Sequence, residues 1–433
     1  MLFSDIAILD EHFEVQTNRW VGVIDGRIEY IGAEAPSPAE AARYGEVYDG
    51  DEKLLVCGMY NAHAHAPMTL LRGYAENLPL QTWLNDRVFP FEAKISDEDA
   101  YWATMLACAE MLRYGTVSFS DMYYHSRERI RAVTECGMKM NSCEGLIAFE
   151  DKPYAEYPDC AVNEELVREF HGSADGRIRI DYNIHSEYLS TPTVAADIAR
   201  IAKEKGLGIH VHVSETKSEH EECKERHGGL TPVRYFDSLG VFDVPVTAAH
   251  CVWVDEGDID ILAERGVFVA ANPVSNMKLG SGFAPIVRML ERGVNVALGT
   301  DGVASNNNHD LYQDLYVFAL TQKGASLDPT AVSPAAAMRA ATRMGALSQG
   351  REDCGRIAIG AKADLAVLDA SGPSWCPSTD YLNNLVFAGH GGDVCLTMVD
   401  GEVLYRDGEW KTIDVERAKA EVEVRTRRII SSL

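Results

Sequence analysis

The sequence predicts an α/β protein: a (β/α)8 TIM barrel carrying a small β-sandwich domain built from both chain ends. Two observations lead there. In the middle of the chain, eight short apolar runs alternate with segments of helical periodicity, the pattern of repeated strand–helix units. At both ends, short strand-like segments joined by Asp-Gly turns replace that alternation.

The first 57 residues read as β structure. WVGVIDGRIEYIGA (20–33) has apolar residues alternating on both sides of Asp25-Gly26, a hairpin signal. From KLLVCGMYNAH (53–63) the barrel runs follow in order: 116–121, 138–144, 177–185, 208–215, 246–250, 267–272 and 295–301. Helical patterns separate them. In TVAADIARIAKEKG (193–206) apolar positions recur three and four apart, and Gly206 stands where a helix would stop. A doubly wound open sheet is the alternative, and the count of eight favours the barrel. After 357 the end style returns in ADLAVLD (363–369) and CLTMVDGEVLYRDGEW (395–410), with turns at Asp400-Gly401 and Asp407-Gly408. The last stretch, VERAKAEVEVRTRRIISSL, reads as a surface helix. The expected domains are therefore a sandwich from 1–57 and 358–413, a barrel over 58–357, and a C-terminal helix over 414–433.

Composition narrows the function. With 46% hydrophobic and 24% charged residues, the 433-residue chain is an ordinary globular mixture rather than a disordered one. A net charge of −26 repels phosphate backbones and anionic lipid surfaces, which disfavours nucleic acid and membrane partners and leaves a small neutral or cationic ligand. The ten cysteines include no CxxC, so neither a disulfide framework nor a structural zinc site is expected. Reduced thiols, no basic-apolar leader and no apolar run of ~18 residues give the expectation of a cytoplasmic protein without a membrane span. A homo-oligomer is compatible with all of this.

Chemistry-bearing residues gather where the strands end. The first run closes on His63 and His65, which face the same way on an extended segment. The fifth holds His210 and His212, followed by Glu215; the sixth ends at His250 and the eighth at Asp301. In a barrel these ends converge on one face. A single strand-end histidine is more often structural than ligating; coincidence at four ends is what favours a metal. Three imidazoles and a carboxylate suit a borderline cation such as zinc, and a position left open makes such a site catalytic.

NAHAHAPMTLLRGYAENLPLQTWL (61–84), HVSET (212–216), AAHCVWV (248–254), NPVSNMKLGSGFAP (272–285), LGTDGVASNNNHDL (298–311) and GRIAIGAKADLAVLD (355–369) together resemble the amidohydrolase superfamily. More closely, they look like its 5′-methylthioadenosine/S-adenosylhomocysteine deaminase family. The resemblance implies that His63, His65, His212 and Asp301 hold one divalent metal, Zn2+ first, with Fe2+, Ni2+ or Mn2+ open. It implies that His250 orients the attacking water, that Asp301 accepts its proton and that Glu215 shuttles protons. His210 is read as a supporting or core residue. The fourth strand ends in His185 rather than a carboxylatable lysine, which argues for one metal.

The implied reaction is hydrolytic deamination of the 6-amino group of an adenosine-type nucleoside, releasing ammonia and the inosine analogue. Adenosine, 5′-deoxyadenosine and 5′-methylthioadenosine are the expected substrates. The alternatives are a triazine hydrolase or a guanine- or cytosine-type deaminase on the same mononuclear site, and a catalytically silent metal-binding scaffold. The HxE and PCxxC pattern of the other zinc deaminases is missing. In the family likeness Trp83 packs on the nucleoside, Glu92 binds ribose hydroxyls and His185 contacts substrate. One position departs: Glu144 stands where members that bind S-adenosylhomocysteine can carry an arginine, so that substrate is expected to be disfavoured.

Overall fold

The computed structural model describes residues 1–433. Its centre is a run of parallel strands: Met59–Ala64, Thr116–Tyr123, Lys139–Glu144, Ile178–Ile180 with Tyr182–Ile184, Ile209–Val213, Val246–His250, Phe268–Ala271 and Asn295–Leu298. Neighbours in this order pair in parallel. The fourth strand is in two pieces. Ile178–Ile180 pairs with the third strand and Tyr182–Ile184 with the fifth, with Asp181 between them. A parallel bridge between Ala64 and Asp301 joins the eighth strand's end back to the first, and Asp301 N–H donates to the His63 carbonyl at 2.9 Å. The eight strand ends therefore form one closed ring. Burial explains the composition of the runs: every residue of Thr116–Tyr123 and of Ile209–Val213 is buried, as expected of parallel strands covered on both faces.

The run 53–63 is two strands rather than one. Lys53–Cys57 pairs antiparallel with Leu365–Asp369 in the end sheet, whereas Met59–Ala64 belongs to the barrel. The break falls at Gly58, where a Cβ would lie 2.3 Å from Val117 Cγ1; the close approach of the two strands admits only glycine.

Strands from both chain ends form one continuous nine-stranded mixed sheet. Asp25-Gly26, Asp400-Gly401 and Asp407-Gly408 all have two successive positive φ angles, the conformation of a tight hairpin turn. The C-terminal helix, Val415–Ile430, buries Ala418, Val422 and Ile429. Its Arg425 and Arg428 both reach Asp99 at the start of helix Asp97–Arg113, the Arg425 contact measuring 3.0 Å. The predicted helix over 193–206 is observed as Pro192–Lys205, capped by Thr191 and ended by Gly206 at φ 67°. No helix is long and apolar enough to cross a membrane, and all ten cysteines are free.

Candidate metal centre and substrate cavity

Histidines from three strand ends meet. The ligand atoms of His63, His65 and His212 lie within 4.8 Å of one another, and so do those of His63, His250 and Asp301. Each ring is aimed by its other nitrogen. His65 Nδ1 donates to the Met122 carbonyl at 2.5 Å and His212 Nδ1 to the His185 carbonyl at 2.6 Å, which turns both Nε2 atoms toward the cluster. His63 Nδ1 lies 2.9 Å from His210 Nε2. His63 Nε2 is buried without a hydrogen-bond partner and sits 3.4 Å from Asp301 Oδ1; His65 Nε2 is 3.2 Å from the same oxygen. An orphaned buried imidazole nitrogen facing two others and a carboxylate is a donor set that fits a divalent metal ion.

The protonation pattern follows from burial and from Asp301. Burial pushes His63 down to about 4 and His212 and His210 well below the usual histidine range. Burial also works against charge on His65, but hydrogen bonding and attraction to Asp301 outweigh it and carry the ring to about 9. Asp301 is disfavoured as an anion by burial, yet its contacts with His63 and His65 hold it well below the usual carboxylate range. Its Oδ2 also accepts from Ser275 at 2.6 Å and Ser305 at 3.0 Å. A cation in the cluster competes with the proton on His65, so metal affinity there is pH-dependent.

The strand ends that carry these groups are strained. Ser214, His250, Cys251 and Asp301 all adopt positive φ, between 47° and 74°. Non-glycine residues enter this region only when the surroundings impose it. The turn after the fifth strand is held by Glu219, which accepts N–H groups of Ser214 at 3.0 Å and Glu215 at 2.7 Å. Glu215 itself is buried, its carboxyl pushed up by that burial, and Oε2 lies 4.0 Å from His250 Nε2. His250 Nδ1 donates to Asn276 Oδ1 at 2.8 Å.

His65, His212, Glu215, His250 and Asp301 open on one cavity and line one side of it. Trp83, Glu92 and His185 line it too. Trp83 comes from the segment that follows the first strand, and its indole N–H donates to the Ala75 carbonyl at 3.0 Å. Burial raises Glu92 to about 7 and lowers His185 to about 3. Glu144 is the exception. Its carboxylate turns away from the cavity and accepts the N–H groups of His125 at 3.2 Å and Ser126 at 2.9 Å, capping helix Ser126–Cys136. It is not among the residues that line the cavity, although its neighbours Gly145 and Tyr123 are, so the expectation that its charge faces a substrate is corrected.

Several wall and support residues were not foreseen. Tyr123, Tyr124 and Tyr188 line the cavity, while Ser275, Asn276 and Ser305 hold Asp301 and His250 from behind. The serines and Asn276 lie inside NPVSNMKLGSGFAP and LGTDGVASNNNHDL, stretches that carry the family likeness, so their motif was visible even though their contacts were not.

Comparison with known proteins agrees with the geometry. The amidohydrolase family model matches residues 54–404. The chain is 41% identical over 409 residues to a 5-methylthioadenosine/S-adenosylhomocysteine deaminase of Desulforamulus reducens, covering 94% of this chain and 93% of that one. It is 42% identical over 380 residues to a 5'-deoxyadenosine deaminase of Methanothermobacter thermautotrophicus, covering 87% of each. The crystal structure of an adenosine deaminase from Xanthomonas campestris with bound zinc superposes with a TM-score of 0.92 at 30% identity, covering 99% of this chain and 98% of that one.

Proposed function

The chain belongs to the amidohydrolase family, a family of hydrolases, and on that premise we propose that it is a metal-dependent deaminase of adenosine-type nucleosides. Water replaces the 6-amino group; the products are the inosine analogue and ammonia. The observation that carries this reading is the buried Glu215, its carboxyl driven toward the neutral form, opening on the same cavity as the histidine and aspartate donors. Relatives of about 40% identity named as adenosine-type deaminases favour it over a triazine hydrolase or a guanine- or cytosine-type deaminase.

His63, His65, His212 and Asp301 would hold one divalent ion, and their three imidazoles and carboxylate suit zinc. When bound, such an ion lowers the pKa of water from ~15.7 to ~7 and so makes hydroxide available near neutrality. The chain supplies the rest. Asp301, held by Ser275 and Ser305, accepts the proton of the attacking water. His250, with its Nδ1–H committed to Asn276, offers Nε2 to orient that water toward C6 of the base. Attack places negative charge on N1. Glu215 in its neutral form donates a proton to N1; its carboxylate then relays the proton held by Asp301 to the departing amine and is reprotonated by the C6 hydroxyl as the carbonyl forms. Trp83 packs on the nucleoside, Glu92 accepts the sugar hydroxyls and His185 contacts the base or sugar from the fourth strand. The free cysteines fit a reducing compartment, and we place the enzyme in the cytoplasm.

The test is ammonia release by the zinc-loaded protein from adenosine, 5′-deoxyadenosine and 5′-methylthioadenosine, set beside guanine, cytosine and aminotriazines. Turnover of the three nucleosides supports the proposal; turnover of only the other group refutes it.

A further inference from the structure

Tyr123 closes the second barrel strand. It is 4% exposed, it lines the cavity, and its hydroxyl is buried with no hydrogen-bond partner. Its main chain is fixed. The carbonyl accepts from Arg129 Nη2 at 2.7 Å and from Gly145 N–H at 2.9 Å. The ring lies 6.3 Å from that of His65 and 5.6 Å from that of Tyr124. Buried phenols nearly always find a partner. One left alone on a cavity wall, with its backbone held, is satisfied when a ligand fills the cavity.

The surroundings say what kind of ligand atom completes it. Glu92 is on the same cavity wall, and its carboxyl acts on the Tyr123 hydroxyl more strongly than any other charged group, near enough to draw on it as an acceptor but not within direct hydrogen-bonding geometry. An ionised carboxylate only accepts, whereas a phenol both donates and accepts. An alcohol placed between them donates to Glu92 and accepts from Tyr123, so each of the three groups gains a partner. Two adjacent alcohols complete the arrangement better than one, because the carboxylate has two oxygens.

We infer that Tyr123 is a substrate-binding residue, its hydroxyl donating to the sugar diol that Glu92 accepts. This rests on the nucleoside deaminase reading above. It adds a second protein group to the recognition of the sugar, one that discriminates ribose from its deoxy forms.

The experiment compares the zinc-loaded wild type with Tyr123→Phe on adenosine, 2′-deoxyadenosine and 3′-deoxyadenosine, with metal content measured alongside. Phenylalanine keeps the ring and removes only the hydroxyl. For adenosine, the expected result is a KM raised about tenfold, the size of one lost hydrogen bond in a desolvated site, with kcat and metal content unchanged. For the deoxynucleoside that lacks the contacted hydroxyl, the same substitution changes KM by less than a factor of about two, because no bond remains to lose. An equal rise in KM on all three nucleosides overturns the inference, as does no rise on adenosine, or loss of metal. A wild type that turns over none of the three sinks the deaminase reading instead.

Discussion

His210 Nε2 lies 2.9 Å from His63 Nδ1, and both rings are fully or nearly buried. That contact decides which nitrogen of His63 is available. For Nε2 to present its lone pair to the cluster, the ring proton must sit on Nδ1, and His210 is the group that accepts it. Removing the acceptor releases the tautomer and the ring angle together. His210→Phe is therefore expected to weaken metal retention by about 10–100-fold, the usual effect of losing a partner behind a ligand. Equilibration against graded chelator with metal analysis measures it, and retention equal to wild type would show that His63 is oriented by other means.

Glu215 differs in kind, because the proposed chemistry uses its proton and not its affinity for metal. Glu215→Gln keeps the size and the backbone N–H that donates to Glu219. Metal content is expected to stay at the wild-type level while kcat falls by ~10²–10⁴, the range of general acid–base assistance. A kcat within a few-fold of wild type removes Glu215 from the proton path.

Much of this site is legible in the sequence. Parallel strands buried on both faces must be apolar throughout, so the runs ending at His63, His212, His250 and Asp301 stood out, and strand closure brings their ends together. What the runs could not convey was direction beyond a strand's last residue. Glu144 ends the third strand and Tyr123 the second, one of them capping a helix and the other on the cavity wall. At that point the chain leaves the two-residue repeat, and hydrogen bonds to neighbouring loops settle where each side chain goes. Gly58 was hidden for a similar reason. An unbroken apolar run does not show that it changes sheets; the close contact with Val117 does.

Glu92 gives the site a pH signature. Burial lifts its carboxyl to about 7, so it is neutral below that pH and an anion above it. A group that accepts sugar hydroxyls works as the anion. With adenosine, kcat/KM is expected to rise with pH through about 7. Glu92→Gln should flatten that limb and lower kcat/KM at pH 8 by about 10–100-fold, the weight of hydrogen bonds to a charged group. A variant that retains the wild-type acid limb assigns the titration to another residue.

The cavity also bears on the 5′ end of the substrate. With Glu144 turned to the helix start, its charge no longer disfavours S-adenosylhomocysteine, but the wall gives another reason. None of the 20 lining residues is lysine or arginine, and 11 are hydrophobic, including Leu80, Leu84 and Val88 from the segment covering the mouth. Lys278, adjacent in sequence to the lining residue Leu279, is paired with Glu76 at 3.0 Å. An amino-acid carboxylate therefore loses water without gaining a cation, while a methylthio group is matched by the apolar wall. We expect kcat/KM for 5′-methylthioadenosine to exceed that for S-adenosylhomocysteine by at least about tenfold, equivalent to ~1.4 kcal/mol. A 5′-butylthio analogue, similar in length but uncharged, separates charge from bulk. It should behave like the methylthio substrate; if it is as poor as S-adenosylhomocysteine, length and not charge is what the cavity rejects.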